Sequence, residues 1–322
     1  MSQIRVGILR GGPSSEYEVS LKTGGSVLKH LPAQYHKEDI LITKDGLWHF
    51  RGEPITPENL SHHIDVAFLC LHGEYGEDGQ VQKILESIDL PYTGSGSLAS
   101  AISMNKLHAK KYLSPHGIKM ARHIHASAGD NPLEKAHETF LKFAPPYIVK
   151  PADRGSSVGL FIVKNTQDLP AAISNCLEYS DSVLIEEFIR GKEATCGVVE
   201  NMRGSHIYAL MPVEIRPKNR DVFDYDAKYL GQSEEICPGN FTEAEKSEIM
   251  RLAGVAHQHL GLKHYSRSDF IVSPRGIYYL ETNTLPGLTD QSLLPKELAA
   301  AGIQYPDFLD HLIKLAMGKL DK

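Results

Sequence analysis

The hydrophobic and polar positions of the first part of the chain alternate between short apolar runs and polar loops. Residues 4–9 and 66–71 are apolar runs of the kind that form buried strands, and each leads into a glycine-rich loop. Residues 37–43 and 48–51 flank Lys44-Asp-Gly46, a pattern that predicts a hairpin. Helices are predicted up to about residue 31 and over residues 79–88. This order predicts an open α/β unit, ending near residue 100, whose ligands bind beyond the carboxyl ends of its strands.

Further along the chain, the pattern changes to short strands with helices between them, and it predicts a small α+β lobe. Strands are predicted at residues 146–150, 159–163, 183–186 and 194–199, and helices at residues 105–114, 132–143, 167–178, 242–260, 291–301 and 306–317. Residues 216–232 have no clean period and combine charged residues with tyrosines. A loop of this length is typical of a functional or a disordered segment.

Polar side chains on two late strands indicate phosphoryl chemistry. Arg267 and Asp269 share one face of their strand because side chains alternate, and Glu281 and Asn283 share one face of the next strand. If the strands pair across the turn at residues 274–276, these four groups meet. The oxygens of Asp269, Glu281 and Asn283 suit Mg²⁺, and Arg267 is a permanent cation suited to phosphoryl or oxyanion charge. An ordinary polar strand end is the alternative, but the matching alternation favours an enzyme that consumes a nucleoside triphosphate.

The turn after the strand at residues 146–150 is a second candidate site. Lys150 ends the strand and supplies a point charge for a phosphate. Ser156 and Ser157 lie in the glycine- and serine-rich turn that follows, where successive backbone N–H groups can form an anion-binding concavity. The P-loop pattern Gly-x4-Gly-Lys-[Ser/Thr] does not occur, and an ordinary hairpin is the alternative.

The loop at residues 11–16 opens a helix and is a third candidate. Ser14 is predicted to be the N-cap of that helix. Glu16, at the positive end of the helix, is predicted to stay ionised and to bind an ammonium group. A capped helix without a ligand is the alternative, and for His72 and Glu74 the alternative is a solvated loop. The Gly-x-Gly-x-x-Gly pattern is absent, which disfavours a dinucleotide fold.

Composition narrows the class of protein. The chain has 322 residues, of which 41% are hydrophobic and 23% charged, which is ordinary for a soluble globular protein of two or three domains. A net charge of −6 and a pI near 6.2 argue against nucleic acid or an anionic membrane surface as the main partner. No apolar run approaches the ~18 residues of a membrane span, and no signal peptide is predicted. The four cysteines form no Cys-x-x-Cys and are predicted to be free thiols in a reducing cytosol.

Taken together, the motifs of this chain resemble those of the D-alanine–D-alanine ligases of the ATP-grasp superfamily, from about residue 4 to residue 316. The order and spacing of the motifs make the resemblance specific. They are Gly-Gly-Pro-Ser-Ser-Glu-Tyr-Glu-Val-Ser (11–20), Leu-His-Gly-Glu-Tyr-Gly-Glu-Asp-Gly (71–79), Pro-Tyr-Thr-Gly-Ser-Gly (91–96), Asn-Lys (105–106), Val-Lys-Pro (149–151), Gly-Ser-Ser-Val-Gly (155–159), Asp-Tyr-Asp-Ala-Lys-Tyr (224–229), Ser-Arg-Ser-Asp-Phe (266–270) and Glu-Thr-Asn-Thr-Leu-Pro-Gly-Leu-Thr (281–289).

The resemblance implies an α/β ATP-grasp fold of three lobes. These are a Rossmann-like open α/β domain at residues 1–103, a small central α+β lobe at 104–188 and a larger C-terminal α+β lobe at 189–322, with ATP held between the last two. It also implies a cytoplasmic homodimer that uses ATP and two Mg²⁺ ions, for which Mn²⁺ can substitute. The enzyme would phosphorylate one D-alanine and join it to a second, for peptidoglycan precursor synthesis, without a nucleic acid or membrane partner.

The resemblance assigns roles to individual residues. Asp269, Glu281 and Asn283 would bind the metal ions. The phosphates would be bound by Lys106, Lys150, Ser156 and Ser157, and adenosine by Glu186, Glu187, Ile189 and Glu193. The first D-alanine would be bound by Glu16 and His72, and the oxyanion by Arg267 and the N–H of Gly287. The second carboxylate would be bound by Ser292 and Leu293, with the cofactor-binding Lys228 nearby, and Tyr229 would link its loop to Ser156 and Glu16. Glu16, Ser156, Tyr229, Arg267 and Ser292 are the predicted catalytic residues.

Two departures from the family pattern remove no required residue. Arg154 stands where many members have an acidic or amide side chain, and Asp290 and Gln291 differ from some members. A D-Ala-D-lactate or D-Ala-D-Ser ligase of the same family is the near alternative. Tyr229 favours the dipeptide, because the resembling lactate-using ligases typically carry histidine in that loop. A non-catalytic nucleotide-binding regulator fits the complete set of metal and phosphate residues less well. An oxidoreductase is disfavoured because the Gly-x-Gly-x-x-Gly pattern is absent.

Overall fold

A computed structural model describes residues 3–155, 158–217 and 233–319 of the chain. Within these residues, the first sheet has the strand order β4-β3-β2-β1-β5. Its strands are β1 (Arg5–Gly11), β2 (His36–Ile42), β3 (Trp48–Phe50), β4 (Glu53–Pro54) and β5 (Val66–Leu69), and its helices are α1 (Tyr17–His30), a 3₁₀ helix (Pro57–His62) and α2 (Gln80–Ser87).

The central strands of this sheet are parallel, which decides where its loops lie. β1 pairs in parallel with β2 and β5, while β2 and β3 form the predicted antiparallel hairpin. The carboxyl ends of parallel strands meet at one edge of a sheet, so the loops that follow β1 and β5 are neighbours. Ser14 Oγ in the first loop donates a hydrogen bond to the carbonyl of His72 in the second, at 2.7 Å.

The middle of the chain forms a second sheet with the order β6-β9-β7-β8 among the described strands. The strands are β6 (His123–Ser127), β7 (Tyr147–Pro151), β8 (Phe161–Val163) and β9 (Ser182–Glu187), and the helices are α3 (Ser97–Met104), α4 (Lys106–Leu113), a 3₁₀ helix (Ser114–His116), α5 (Pro132–Lys142) and α6 (Leu169–Leu177). Asn105 caps α4, because its Oδ1 accepts hydrogen bonds from the N–H groups of Leu107 and His108.

The last part of the chain forms a third, antiparallel sheet with the order β13-β12-β10-β14-β15, and β11 pairs with β10. The strands are β10 (Lys192–Met202), β11 (Ser205–Ala209), β12 (Val213–Pro217), β13 (Ser233–Ile236), β14 (Tyr265–Ser273) and β15 (Gly276–Asn283), and the helices are α7 (Glu243–His259), α8 (Leu293–Ala300) and α9 (Tyr305–Ala316). Thr242 and Glu245 form a capping box that fixes the start of α7.

The hydrophobic core of the first sheet continues into the C-terminal helices. Leu294 of α8 and Phe308 of α9 are fully buried in the same cluster as Ile8 of β1 and Phe68 of β5. The C-terminal lobe is therefore packed directly against the N-terminal sheet, whereas the second sheet has its own core around Tyr147. No helix among the described residues combines the length and apolar character needed to cross a bilayer.

One local prediction is wrong. Ser14 does not cap α1: the helix begins at Tyr17 after Glu16, and no side chain in the described part of the chain caps it. Ser14 Oγ accepts instead from the N–H of Glu16 at 3.1 Å and donates to the neighbouring loop. Strands β6 and β11–β13 were not predicted, and residues 218–232 of the aperiodic segment lie outside the described residues.

Candidate active site

The β14–β15 hairpin brings four predicted site residues together. The strands pair antiparallel, with Arg267 opposite Asn283 and Asp269 opposite Glu281. Directly opposite residues project from the same face of a sheet, so these four side chains form a polar square at one end of the hairpin. The register shifts by one residue after Asp269, and the apolar part of the hairpin continues beyond this bulge.

Arg267 and Asp269 are held as an ion pair within this square. Arg267 Nε lies 3.2 Å from Asp269 Oδ1, and its Nη2 lies 3.3 Å from Asp269 Oδ2. Burial opposes the charge of Arg267, but Asp269 outweighs it and raises the pKa of the guanidinium. Thr195 of β10 donates its hydroxyl to Asp269 from the adjacent strand. The guanidinium is therefore a fixed, permanent cation.

Lys106, at the start of α4, reaches the other carboxylate of the square. Its Nζ lies 3.0 Å from Glu281 Oε2 and donates to the carbonyl of Arg154 at 2.6 Å. This ammonium group is the main cause of the lowered pKa of Glu281, so Glu281 is ionised at neutral pH. Asn105 sets the start of the helix and thereby the place from which Lys106 extends.

Lys150 and Glu186 lie on neighbouring strands behind this group and form a buried triad with Lys110. Glu186 Oε1 is 2.7 Å from Lys110 Nζ, and its Oε2 is 2.8 Å from Lys150 Nζ. Burial opposes ionisation of Glu186, but the two ammonium groups outweigh it and lower its pKa to about 2. Burial also disfavours the ammonium of Lys150, but Glu186 and Glu281 raise its pKa. The triad thus keeps Lys150 charged in a region closed to solvent.

Three further residues assigned to adenosine lie at the end of β9 and the start of β10. Glu187 pairs with Arg122 at 2.9 Å and lies 3.5 Å from Arg275. Ile189 is buried in a small apolar cluster with Ala121 and Tyr278. Glu193 lies on β10 opposite Ile271 of β14. An apolar surface at Ile189, with charged groups beside it, therefore lies next to the triad of Lys110, Lys150 and Glu186.

The N-terminal lobe contributes Glu16 and His72. A Cβ atom placed on Gly73 would lie 3.3 Å from Glu16 Oε1, and one placed on Gly155 would lie 3.9 Å from it. Glu16 therefore stands between the loop after β5 and the turn after β7. His72 is buried, and its Nδ1 carries a proton because it bonds the carbonyl of Leu285 at 3.0 Å. His72 thus joins the N-terminal lobe to the segment that follows β15.

The segment after β15 positions the remaining described site residues, which are Gly287, Ser292 and Leu293. A Cβ atom on Gly287 would lie 2.7 Å from Ser292 Oγ, so only glycine fits there without a shift. Ser292 N–H donates to the carbonyl of Thr289 at 2.9 Å, and Ser292 precedes α8. The N–H of Leu293 lies in the first turn of α8, where backbone donors lack partners within the helix and favour an anion.

The structure does not describe four of the predicted residues, Ser156, Ser157, Lys228 and Tyr229, because they lie in the gaps at 156–157 and 218–232.

The donor set of Asp269, Glu281 and Asn283 fits a divalent cation of the Mg²⁺ type. Two carboxylates and one amide oxygen on a single sheet face are hard ligands. Among the described residues, no group of three or more His, Cys, Asp or Glu side chains could enclose a metal ion. An ion at this face would therefore complete its shell with water and phosphate oxygens, as Mg²⁺ commonly does in nucleotide sites.

Three buried or bridging groups near the square were not predicted from the sequence. Lys110 could have been found, because it stands four residues after Lys106 and shares its helix face. Arg154 pairs with Glu74, although the sequence marked it only as a departure from the family pattern. Glu297 of α8 accepts from the N–H of Gly197 at 2.9 Å, and burial raises its pKa to about 8. No local pattern distinguishes Glu297 from a surface residue.

Comparison with known proteins gives matches over nearly the whole chain. The family model described as D-ala D-ala ligase C-terminus matches residues 113–314, and the model described as D-ala D-ala ligase N-terminus matches residues 50–95. Among curated relatives, the D-alanine--D-alanine ligase of Geotalea uraniireducens is 39% identical over 321 residues, with 99% of this chain and 97% of the relative covered. That of Geobacter sulfurreducens is 40% identical over 314 residues, with 96% and 93% covered.

Solved structures agree with this result. The VanG D-Ala:D-Ser ligase of Enterococcus faecalis superposes with a TM-score of 0.88 at 29% identity, covering 98% of this chain and 100% of that one. The D-alanine--D-alanine ligase of Bacillus anthracis gives a TM-score of 0.80 at 33% identity, with 98% of each chain covered.

Proposed function

Because the chain belongs to the D-alanine–D-alanine ligase family and has its three-lobed ATP-grasp fold, we propose that it joins two D-alanines at the expense of ATP. The observation that carries this proposal is the polar square of β14 and β15 with Lys106 in contact with Glu281. It combines fixed cations with hard oxygen ligands, which is the chemistry that phosphoryl transfer requires. The dipeptide would serve peptidoglycan precursor synthesis.

In the first step, a carboxylate oxygen of D-alanine attacks the γ-phosphorus of ATP, and the bond to ADP breaks. Lys106 and Lys150 are cations that bind the phosphates, and the buried triad keeps Lys150 charged. The apolar cluster around Ile189 packs against adenine, with Glu186, Glu187 and Glu193 along the adenosine site. Glu16, at the positive end of α1, binds the ammonium group of the first D-alanine.

Divalent cations at Asp269, Glu281 and Asn283 would neutralise phosphate charge and align the phosphates for transfer. We propose two Mg²⁺ ions there, with Mn²⁺ as a substitute. The number of ions and the substitution rest on the family resemblance, and the hard oxygen ligands of the three side chains suit both metals.

In the second step, the free amine of the second D-alanine attacks the acylphosphate carbon, and the tetrahedral intermediate collapses to dipeptide and phosphate with loss of a proton. Arg267 and the N–H of Gly287 stabilise the oxyanion. Ser292 and the N–H of Leu293 bind the second carboxylate at the start of α8. The parts of Ser156, Ser157, Lys228 and Tyr229 in closing the active site rest on the family resemblance.

The test is phosphate release from Mg·ATP on addition of D-alanine, with the dipeptide identified by mass spectrometry. Phosphate and dipeptide should form in equal amounts, and phosphate without dipeptide would contradict the proposal. The likeness to the VanG D-Ala:D-Ser ligase makes D-serine the second substrate to compare. Competition between equal concentrations of D-alanine, D-serine and D-lactate should give mainly D-alanyl-D-alanine.

We also propose the division into residues 1–103, 104–188 and 189–322, since the described strands of each sheet fall within one range. Limited proteolysis should cut near these boundaries before cutting within a sheet. Cytoplasmic location is supported by the four cysteines, which are all free thiols. Cell fractionation tests the location, and light scattering tests the proposed homodimer.

A further inference from the structure

Arg154, interpreted from the sequence as a departure from the family pattern, contacts a lobe other than its own. It follows β7 in the turn at residues 153–155, which belongs to the second sheet. Its Nη1 lies 2.7 Å from Oε1 of Glu74, in the loop after β5 of the first sheet. Its Nε donates to the carbonyl of Tyr179 at 3.3 Å, which directs the guanidinium toward the N-terminal lobe.

Glu74 is anchored on the N-terminal side of this contact. Its Oε2 accepts a hydrogen bond from Ser15 Oγ at 3.3 Å and lies 3.4 Å from Ser14 Oγ, whose proton is donated to the carbonyl of His72. Burial opposes ionisation of Glu74, but its own backbone N–H and Arg154 outweigh it and lower its pKa. Glu74 is therefore an anion at neutral pH, held beside Ser14 and Ser15, the two residues that precede Glu16.

The backbone of Arg154 contacts Lys106, the lysine assigned to the phosphates. Its carbonyl accepts from Lys106 Nζ at 2.6 Å, and the same ammonium group contacts Glu281 at 3.0 Å. A continuous series of polar contacts thus runs from Glu74 in the N-terminal lobe, through both ends of Arg154, to Lys106 and the metal-ligand strand. Gly155, the next residue, is the one that approaches Glu16.

We propose that Arg154 is a positioning residue, which ties the turn after β7 to Glu74 and so sets Lys106 at the correct distance from the carboxylate of the first D-alanine. This role rests on the proposed ligase function. It explains why a cation is accepted at residue 154: the partner offered by the N-terminal lobe is an anion. The pair bears on the alignment of substrate and phosphate, because it joins the lobe that contains Glu16 to the turn that contacts Lys106. That contact is the hydrogen bond from Lys106 Nζ to the carbonyl of Arg154.

The ion pair is too exposed to be a major source of stability. The side chains of Arg154 and Glu74 are 40% and 30% exposed, and pairs with such exposure contribute little to folding. Disrupting the pair should therefore change the kinetic constants much more than Tm. A residue with a purely structural role would show the opposite behaviour.

The experiment is a charge-reversal cycle with R154E, E74R and E74R/R154E. Each single change places like charges against each other and should lower kcat/KM for D-alanine by about tenfold. The double change restores an attractive pair and should recover activity to within about threefold of wild type. Tm should stay within about 2 °C of wild type throughout, in keeping with a partly exposed pair.

The matched control is D153R/R154E. Asp153 is exposed in the same turn, so this variant keeps the net charge of the turn but moves the cation by one residue. It should remain as impaired as R154E. If D153R/R154E is rescued as well as E74R/R154E, local net charge matters rather than the pair, and the proposal is wrong. It is equally wrong if the two single reversals act additively in the double variant.

Affinity for Mg·ATP, measured by calorimetry without D-alanine, separates this proposal from the proposed function. The affinity for Mg·ATP should fall in R154E and recover in E74R/R154E, as kcat/KM does. The reason is that Lys106 contacts the carbonyl of Arg154 whichever amino acid is ligated. Recovery of Mg·ATP affinity in a protein that forms no dipeptide would support the pair and refute the ligase assignment. Dipeptide synthesis with no coupling between the two positions would support the ligase and refute the pair.

Discussion

Replacing Glu186 with glutamine removes the counter-charge of two buried lysines. Lys110 and Lys150 both lie within 2.8 Å of this carboxylate, and the three side chains are 4%, 10% and 5% exposed in the order Lys110, Lys150, Glu186. Glutamine keeps the size of the side chain but carries no charge. The variant therefore leaves two ammonium groups side by side in a region that water does not reach.

The pKa of Glu186 sets the magnitude. A fall from 4.5 to about 2 corresponds to about 3 kcal/mol in favour of the ionised, folded form. Removing one partner of a buried ion pair costs a similar amount, about 3–5 kcal/mol. Because the folded pKa is lowered, this contribution is fully present above pH 4.5 and disappears as the pH falls toward 2.

Urea unfolding of wild type and Glu186→Gln at pH 7, followed by circular dichroism, measures the difference directly. The free energy of unfolding should fall by about 3 kcal/mol. Adding Lys110→Met to the variant should recover a large part of it, because the two ammonium groups then no longer repel each other and Lys150 is still attracted by Glu281. Glu187→Gln is the control: its partners Arg122 and Arg275 are 60% and 54% exposed, so the loss should stay at or below about 1 kcal/mol. A Glu186→Gln loss no larger than that of Glu187→Gln would refute the reasoning.

Three further predictions concern the square and its surroundings. Glu281→Gln should nearly abolish dipeptide synthesis while the circular dichroism spectrum is unchanged, and near wild-type turnover at limiting Mg²⁺ would remove Glu281 from the metal site. Arg267→Lys keeps the charge but loses the planar guanidinium fork, so kcat should fall by ~10²-fold or more with a smaller change in the KM for ATP. An effect confined to KM would contradict a role in the transition state. Burial raises the pKa of Glu297 to about 8, so the unfolded chain releases a proton that the folded chain retains, and wild type should lose stability as the pH rises from about 4.5 to 8. Glu297→Gln keeps the acceptor for Gly197 and should gain stability relative to wild type over that range, whereas parallel pH profiles would show that Glu297 does not titrate there.

The parts of the site that were predicted correctly depend on short-range geometry. Arg267, Asp269, Glu281 and Asn283 lie on strands joined by the turn at residues 274–276, so alternation and the turn predict that they meet. The turn alone would set Asp269 opposite Leu280, and it is the one-residue shift after Asp269 that brings Glu281 and Asn283 onto the face of Arg267 and Asp269. The open α/β unit was predicted for a similar reason, since apolar runs and polar loops report burial over a few residues. The Ser14 cap failed because a neighbouring loop competes for the same hydroxyl, and that loop lies 58 residues away in the chain.

The sequence by itself therefore determined which residue types were available, which faces of each strand they occupy and which family they resemble. The tertiary structure alone decided which distant groups became partners. Glu74 meets Arg154 across 80 residues, Gly197 meets Glu297 across 100, and His72 meets Leu285 across 213. Such contacts leave no periodic signal, because they depend on how the three sheets pack and not on the local backbone. Burial then sets their strength: it makes the lysine triad costly to break and holds the proton on Glu297, whereas the partly exposed pair of Arg154 and Glu74 contributes little to stability.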